Sequence, residues 1–153
     1  MPKISVLALS VAILLAIGGC KKDSSPASTT TGGVPAQLVG VWTAQSATVN
    51  GTPTALATVL QWEPTTASAR VTMTANGTYT YDELDAASAV VYSQGGTLAV
   101  SGNNITMTAT SENGTPINPP TLFLGGTWSI NGNLLTLSTT VGSSAIVVVF
   151  VKS

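Results

Sequence analysis

Apolar and polar residues alternate along much of the chain after residue 37, and one alternating stretch occurs twice. Residues 96–108 (GTLAVSGNNITMT) and 126–138 (GTWSINGNLLTLS) lie thirty residues apart and share a Gly-Thr start, a central Gly-Asn pair and a Thr-containing end. Alternation puts one face of a strand on a core and the other in water. Gly and Asn between such runs provide the positive φ of a tight turn. We therefore predict two β-hairpins, which we call the first and second repeat hairpins.

The same alternation predicts further strands. Residues 68–83 alternate on both sides of Asn76-Gly77, which is the strongest hairpin signal in the chain. The last strand, 145–151, reads AIVVVFV. Because it is apolar at every position, we expect it to be covered on both faces.

Two segments are harder to assign. Residues 54–62 contain Ala and Leu between Pro53 and Pro64, which permits a helix or a strand, and we favour a strand. Residues 111–120 carry Asn-Gly and Pro-Pro and are predicted to be a loop. The whole pattern gives an all-β fold of about eight to ten antiparallel strands in an up-and-down meander. Closure into a barrel would remove the exposed edges of such a meander; a β-sandwich is the alternative.

The N-terminus carries an apolar run, residues 4–17, after a short basic start. A membrane-spanning helix needs about twenty such residues, so this run fits the core of a signal peptide. Ile17-Gly18-Gly19-Cys20 closes it and resembles the lipobox of bacterial lipoproteins. The resemblance implies cleavage between Gly19 and Cys20, with a diacylglyceryl group on the Cys20 sulfur and an acyl chain such as palmitate on its amino group. An ordinary secretory signal with an unrelated Cys, or an uncleaved anchor, is the alternative.

The predicted domains follow from these features. Residues 1–19 are a signal peptide, 20–36 are the lipidated Cys and a flexible Ser/Thr/Gly/Pro tether, and 37–153 are the barrel. Lys21 rather than Asp follows the Cys, which by analogy with enteric bacteria favours the outer membrane, on its periplasmic or surface side.

Composition narrows the function. Only 7% of the residues are charged, against about 25% in typical soluble domains, and the formal net charge is −1. No basic field is available for nucleic acid. There is no His, which removes the commonest general base and transition-metal ligand. With a single Cys, an intrachain disulfide is impossible.

The domain itself resembles a family. The motif Leu38-x-Gly40-x-Trp42, the segment 76–80 (NGTYT) and the two Gly-Thr hairpins are similar to the bacterial lipocalin-like lipoproteins. The resemblance covers residues 37–153 and implies that Gly40 and Trp42 close one end of a barrel, with Lys152 packed over the Trp. The C-terminal helix of larger lipocalins has no counterpart in the sequence.

The aromatic residues are the candidate ligand-binding groups. A small barrel either fills its interior with its own side chains or holds one small ligand, and the sequence leaves both open. Tyr79 and Tyr81 share one strand face and combine an apolar ring with a polar tip. The predicted pocket residues are Met73, Tyr79, Tyr81, Tyr92 and Trp128.

The acidic residues Asp82, Glu83 and Asp85 form a cluster that permits an acid–base pair or a calcium site. We interpret residues 82–87 instead as a solvated turn between strands. No activated nucleophile is visible, because Cys20 is assigned to lipid and His is absent. We therefore expect no catalytic residue, metal or cofactor, and a hydrolase is the weakest hypothesis.

These features predict a lipid-anchored protein of the bacterial cell envelope that binds or carries a small apolar molecule and is not an enzyme. The expected partners are the membrane, through Cys20, and a small hydrophobic ligand, but not nucleic acid. The alternative is an envelope structural or protein-interaction module with a filled barrel core and no ligand. The sequence does not indicate which protein such a module would contact.

Overall fold

The structure, a computed structural model, describes residues 33–153. These residues form nine strands and one short helix: β1 (Gly40–Val49), β2 (Thr52–Thr54), α1 (Leu56–Leu60), β3 (Ser68–Met73), β4 (Thr78–Leu84), β5 (Val90–Ser101), β6 (Asn104–Glu112), β7 (Thr115–Asn131), β8 (Leu134–Val141) and β9 (Ser144–Lys152).

The strands close into an antiparallel ring. From β3 to β9 each strand pairs with the next in sequence, while β1 pairs with both β3 and β9. The ladder between β1 and β9 runs from Trp42↔Lys152 to Val49↔Ile146. The short strand β2 pairs only with the end of β1 and is a ninth strand outside the closed eight-stranded ring. The predicted all-β, up-and-down barrel of eight to ten strands is confirmed.

Tight turns at Asn-Gly pairs set the hairpin positions. Asn50-Gly51 and Asn113-Gly114 both take positive φ at each residue, as a two-residue hairpin turn requires. The expectation of a loop over residues 111–120 is wrong, because β6 continues to Glu112 and β7 starts at Thr115 on either side of the second turn. The Asn-Gly pair makes a hairpin there. Pro119 and Pro120 lie where the ladder skips from Ala109↔Thr121 to Ser111↔Pro116.

The preference for a strand over residues 54–62 is also wrong. Leu56–Leu60 forms one helical turn and a half, and Gln61 ends it in the left-handed conformation. Ala and Leu have high helix propensity, and the flanking prolines limit the element without favouring a strand. The helix and Trp62 pack against the core.

The core fills the inside of the ring. Every second residue is buried along β3 and in the first half of β8, which is the alternation expected of a sheet with one wet face, whereas residues 81–84 of β4 are all buried. Val34 and Leu38 belong to the same core, ahead of β1. The expectation that β9 is covered on both faces is wrong: Val148 and Phe150 point inward and are buried, but Val147, Val149 and Val151 are only half-buried.

Different elements lie at the two ends of the barrel. Gly40, Leu38 and Lys152 mark one end, which we call the Trp42 end. The helix α1, the end of β4 and the start of β5 mark the other, which we call the Glu83 end.

The predicted signal peptide, the lipidation of Cys20 and the tether up to residue 32 lie outside the described residues. Within residues 33–153, no helix has the length and hydrophobicity needed to cross a bilayer.

Candidate functional site

The three residues predicted to close the barrel meet at the Trp42 end. Trp42 is fully buried, and its indole N–H donates to the Leu38 carbonyl at 2.8 Å. The Lys152 ammonium lies 5.0 Å from the Trp42 ring centroid, within cation–π range. Gly40 makes room for it, because a Cβ there would lie 3.0 Å from Lys152 Cε. This end of the barrel is therefore plugged by aliphatic, indole and ammonium groups together.

Three of the predicted pocket residues meet inside the barrel. Tyr79 and Tyr81 alternate along β4, each 2% exposed, and Tyr92 on β5 is almost as deeply buried. The rings of Tyr81 and Tyr92 meet edge to face with centroids 6.4 Å apart. We call Tyr79, Tyr81, Tyr92 and Phe123 the aromatic cluster.

Phe123 is one of the candidate aromatic residues but not one of the five predicted pocket residues, yet it is central to this cluster. Its ring stacks on Tyr79 at 5.6 Å between centroids and lies 5.2 Å from that of Tyr81. It reaches them from β7, where the ladder skips it between Met107↔Leu124 and Thr108↔Leu122. A residue at a bulge is re-aimed relative to its neighbours. No period-2 pattern predicts such a bulge.

The other two predicted residues lie elsewhere. Met73 is buried and stands directly opposite Tyr79 in the ladder between β3 and β4, on the edge of the cluster. Trp128 lies on the far wall, where its indole N–H donates to the Gly102 carbonyl at 3.1 Å in the turn of the first repeat hairpin. The structure therefore assigns Trp128 to the packing between the two repeat hairpins.

Glu83 is the polar residue at the centre of the Glu83 end, and its position corrects a prediction. It lies within β4, is 1% exposed and faces the barrel interior, so residues 82–87 are not a solvated turn as a whole. Its Oε2 accepts the backbone N–H of Glu63 and the hydroxyl of Thr66, each at 2.7 Å. Its Oε1 lies 3.5 Å from the Tyr81 hydroxyl. The buried carboxylate thus fastens the segment after α1 across this end of the barrel.

Glu83 was detectable from the sequence. It follows Tyr79 and Tyr81 at the same spacing of two, which places all three on one strand face. Its neighbour Asp82 faces the other way, where its two carboxylate oxygens accept from Arg70 Nε at 3.1 Å and from the Ser93 hydroxyl at 2.8 Å. The predicted alternation already separates Asp82 from Glu83, and only the interpretation of residues 82–87 as a solvated turn was wrong.

The tyrosine hydroxyls form a neutral polar network. Tyr79 donates to Gln94 Oε1 at 3.2 Å, and Gln94 Nε2 donates to the Tyr92 hydroxyl at 3.4 Å. This network gives the aromatic walls a row of polar atoms on the inside of the barrel.

Burial raises the pKa of the Tyr79, Tyr81 and Tyr92 hydroxyls well above their ordinary value. Charge repulsion from the Tyr92 hydroxyl adds to the rise in the pKa of Tyr79, Glu83 adds to it for Tyr81, and Glu112 adds to it for Tyr92. The buried Trp62 indole N–H forms no well-aligned hydrogen bond. Its interaction with the Tyr81 hydroxyl nevertheless offsets part of the rise in the pKa of Tyr81. All three hydroxyls are therefore neutral at physiological pH.

This arrangement suits binding by shape and hydrogen bonding. Apolar walls with a few placed polar groups are typical of small-molecule sites. Among residues 33–153, no three His, Cys, Asp or Glu side chains are grouped so that they could hold a metal ion.

Comparison with known proteins gives one match. The family model described as a lipocalin-like domain matches residues 38–124, more than half of the chain. That range starts at the plug of the Trp42 end and includes the aromatic cluster and Glu83. No curated protein and no solved structure matches the chain.

Proposed function

Because the chain belongs to the lipocalin-like domain family, we propose that it is a non-catalytic lipoprotein of the bacterial envelope whose barrel binds a small apolar molecule bearing a polar group. The family's barrel fold is one suited to holding a ligand. The observation that carries the proposal is the aromatic cluster, which sets three tyrosine hydroxyls and the Gln94 amide among apolar rings inside the barrel.

The chemistry of the cluster defines the ligand class. The rings of Tyr79, Tyr81 and Phe123 offer flat apolar contact, which favours a planar or aliphatic body. The neutral hydroxyls and the Gln94 amide can both donate and accept hydrogen bonds. A ligand with a hydroxyl, carbonyl or amide at one end satisfies both parts.

Phe123 is the residue that a ligand would displace. It is only partly buried, whereas Tyr79 and Tyr81 beneath it are almost inaccessible. Because the β6–β7 ladder skips it, Phe123 can swing outward without breaking a paired row. Its ring would then leave a space against the two tyrosines.

Native mass spectrometry tests the binding. The full-length chain is extracted from bacterial membranes in mild detergent and weighed before and after solvent delipidation. We expect a stoichiometric small-molecule mass that delipidation removes. Phe123→Ala should change its occupancy or speed its loss, whereas Leu122→Ala, at an exposed neighbour on the same strand, should not. A bare polypeptide mass in all samples contradicts the proposal.

The lipid anchor is supported by the sequence Ile17-Gly18-Gly19-Cys20. Two or more acyl chains hold a protein stably on a bilayer, at about 0.8 kcal/mol per buried methylene. We expect the chain in the outer-membrane fraction, with an intact mass that includes the covalent lipid. Cys20→Ser should remove both. Unchanged fractionation and mass in this variant would contradict the anchor.

The second candidate is a protein-interaction module of the cell envelope without a ligand. It is favoured by the near-complete burial of the inward side chains, since the ring interior is packed with the protein's own residues. It predicts a bare mass in the experiment above and a specific envelope protein captured by crosslinking to the barrel surface. Absence of any crosslinked envelope protein would count against it.

A further inference from the structure

The wall of the barrel splits between β7 and β8. Their ladder covers only Thr127↔Ser138 to Asn131↔Leu134. Before Thr127, β7 pairs with β6 alone, and beyond Ser138, β8 pairs with β9 alone. The two strands therefore separate at Gly126 and leave a slot with a volume of about 430 Å³.

Two glycines and a threonine shape the slot. A Cβ on Gly126 would lie 2.1 Å from the Ser138 carbonyl oxygen, so only glycine allows the strands to cross this closely before they separate. Gly125 adds no side chain to the opening. The Thr139 hydroxyl donates to the Gly125 carbonyl and bridges the strands where the ladder has ended.

The slot is lined by neutral polar groups around an aliphatic floor. Its polar groups are the side chains of Asn104, Thr106, Thr127, Ser138 and Thr140, and Ile105 and Ile146 lie among them. Of the residues that the structure describes, no charged one lines it. Its volume falls within the roughly 300–1,000 Å³ of small-molecule sites.

This lining selects an uncharged ligand with several hydroxyl groups. Hydroxyl and amide side chains can each donate and accept hydrogen bonds, so they can pair with a ligand hydroxyl that acts as a donor or as an acceptor. A charged ligand would lose water without gaining a counter-charge. The aliphatic floor suits the C–H face of a sugar ring or an acetamido methyl group.

We propose that the slot between β7 and β8 binds a neutral sugar of one or two rings. The site is separate from the aromatic cluster and does not rest on the function proposed above. Most of its residues also lie beyond residue 124, where the family match ends.

Saturation-transfer NMR on the full-length chain tests this inference. The probes are glucose and N-acetylglucosamine, with glucosamine as the cationic and glucuronic acid as the anionic counterpart, in a detergent without a sugar headgroup. We expect transfer to a neutral sugar and weaker or no transfer to the charged ones. Absence of transfer to either neutral sugar at tens of millimolar overturns the proposal, as does equal transfer to all four.

The repeat provides a matched control. The double variant Thr127→Val/Ser138→Ala removes two slot hydroxyls and should weaken binding about tenfold or more. Thr97→Val/Thr108→Ala makes the equivalent change in the first repeat hairpin, which has no such slot, and should leave binding unchanged. Equal loss in both, or in neither, would place the sugar elsewhere and overturn the assignment. Thermal melts of both variants separate loss of binding from loss of fold.

Discussion

The two repeat hairpins start from nearly the same sequence and end in different surroundings. In the first, a Cβ on Gly96 would lie 1.9 Å from the Thr108 carbonyl oxygen; in the second, the same approach brings Gly126 to Ser138. Beyond this crossing the first hairpin stays paired through a bulge to Gln94↔Glu112. The second separates. A local sequence repeat therefore fixes the crossing, whereas the neighbouring strands decide whether pairing continues.

The residues next to the two crossings differ, and this difference explains why only the second hairpin separates. Behind the first crossing stands Tyr79, whose Cε1 would lie 2.9 Å from a Cβ on Gly96. Behind the second, β7 bends away to follow β6. The first hairpin is held against the aromatic cluster, and the second opens to solvent.

The largest expected effect comes from adding a methyl group at the two crossings. Gly96→Ala should cost about 3 kcal/mol of unfolding free energy, because both a carbonyl and a buried ring block the Cβ. Gly126→Ala should cost about 1–2 kcal/mol, since the strands can part further there. Urea titration followed by tryptophan fluorescence measures both, with Gly33→Ala as a control in open space. A larger loss at Gly126 would reverse the comparison.

Alkaline pH should destabilise the barrel through the three tyrosines of the aromatic cluster, which lies beside the first repeat hairpin. The pKa values of Tyr79, Tyr81 and Tyr92 are raised in the folded barrel, so above about pH 10 the unfolded chain releases protons that the folded chain retains. Stability from these groups is complete below that pH and falls as pH rises through the folded pKa values.

Ultraviolet absorbance of tyrosinate and tryptophan fluorescence should therefore change together, well above pH 10. Tyr79→Phe removes one of the three titrating hydroxyls. The free energy of unfolding should therefore fall less steeply with pH, by the slope that one proton contributes. Full tyrosinate absorbance near pH 10 with unchanged fluorescence would show that the hydroxyls are accessible and would contradict this assignment.

Trp128→Phe should have a smaller effect, because it removes only the indole hydrogen bond to the Gly102 carbonyl, whereas the backbone N–H of residue 128 still donates to the Asn103 carbonyl in the same turn. We expect a loss of about 1 kcal/mol. Trp62→Phe is the matched control, since its indole N–H has no hydrogen-bond partner of full geometry. Equal losses in the two variants would mean that ring volume, not the bond, accounts for the effect.

The smallest effect is expected at the hydroxyls that reach the glycine carbonyls. Thr139→Val should cost about 0.5–1 kcal/mol through the lost bond to Gly125. Thr110→Val should cost less, because its contact with the Gly95 carbonyl is long, at 3.4 Å. Chemical denaturation resolves the difference when both variants are compared in one series. A greater cost at Thr110 would contradict the order.

Much of the fold was predictable because period and turn chemistry are local. The alternation around Asn76-Gly77 and in both repeats gave strands that the structure confirms. The short helix Leu56–Leu60 was missed because five residues between prolines carry too little pattern to separate two element types. The Asn113-Gly114 hairpin was missed because the prolines nearby outweighed a turn signal that was present.

The candidate site was only partly predictable. Tyr79 and Tyr81 were found by strand face alone. The place of Phe123 depends on a bulge, and that of Trp128 depends on which strands face each other across the ring. Neither property is encoded in a short window of sequence. The same limit explains the slot, since two similar hairpins differ only in their neighbours.

The ladder between β1 and β9 also brings residues from both ends of the described part of the chain to one end of the barrel. Ser153 N–H donates to the Val41 carbonyl at 3.0 Å, so the last residue lies beside the start of the first strand, next to Leu38. Leu38 and Ser153 therefore both lie at the Trp42 end. The helix α1 and the segment that Glu83 holds in place lie at the opposite end. On vesicles to which the protein is anchored through Cys20, as proposed above, a quencher at the bilayer surface should accordingly reach the Trp42 end more than it reaches Trp62.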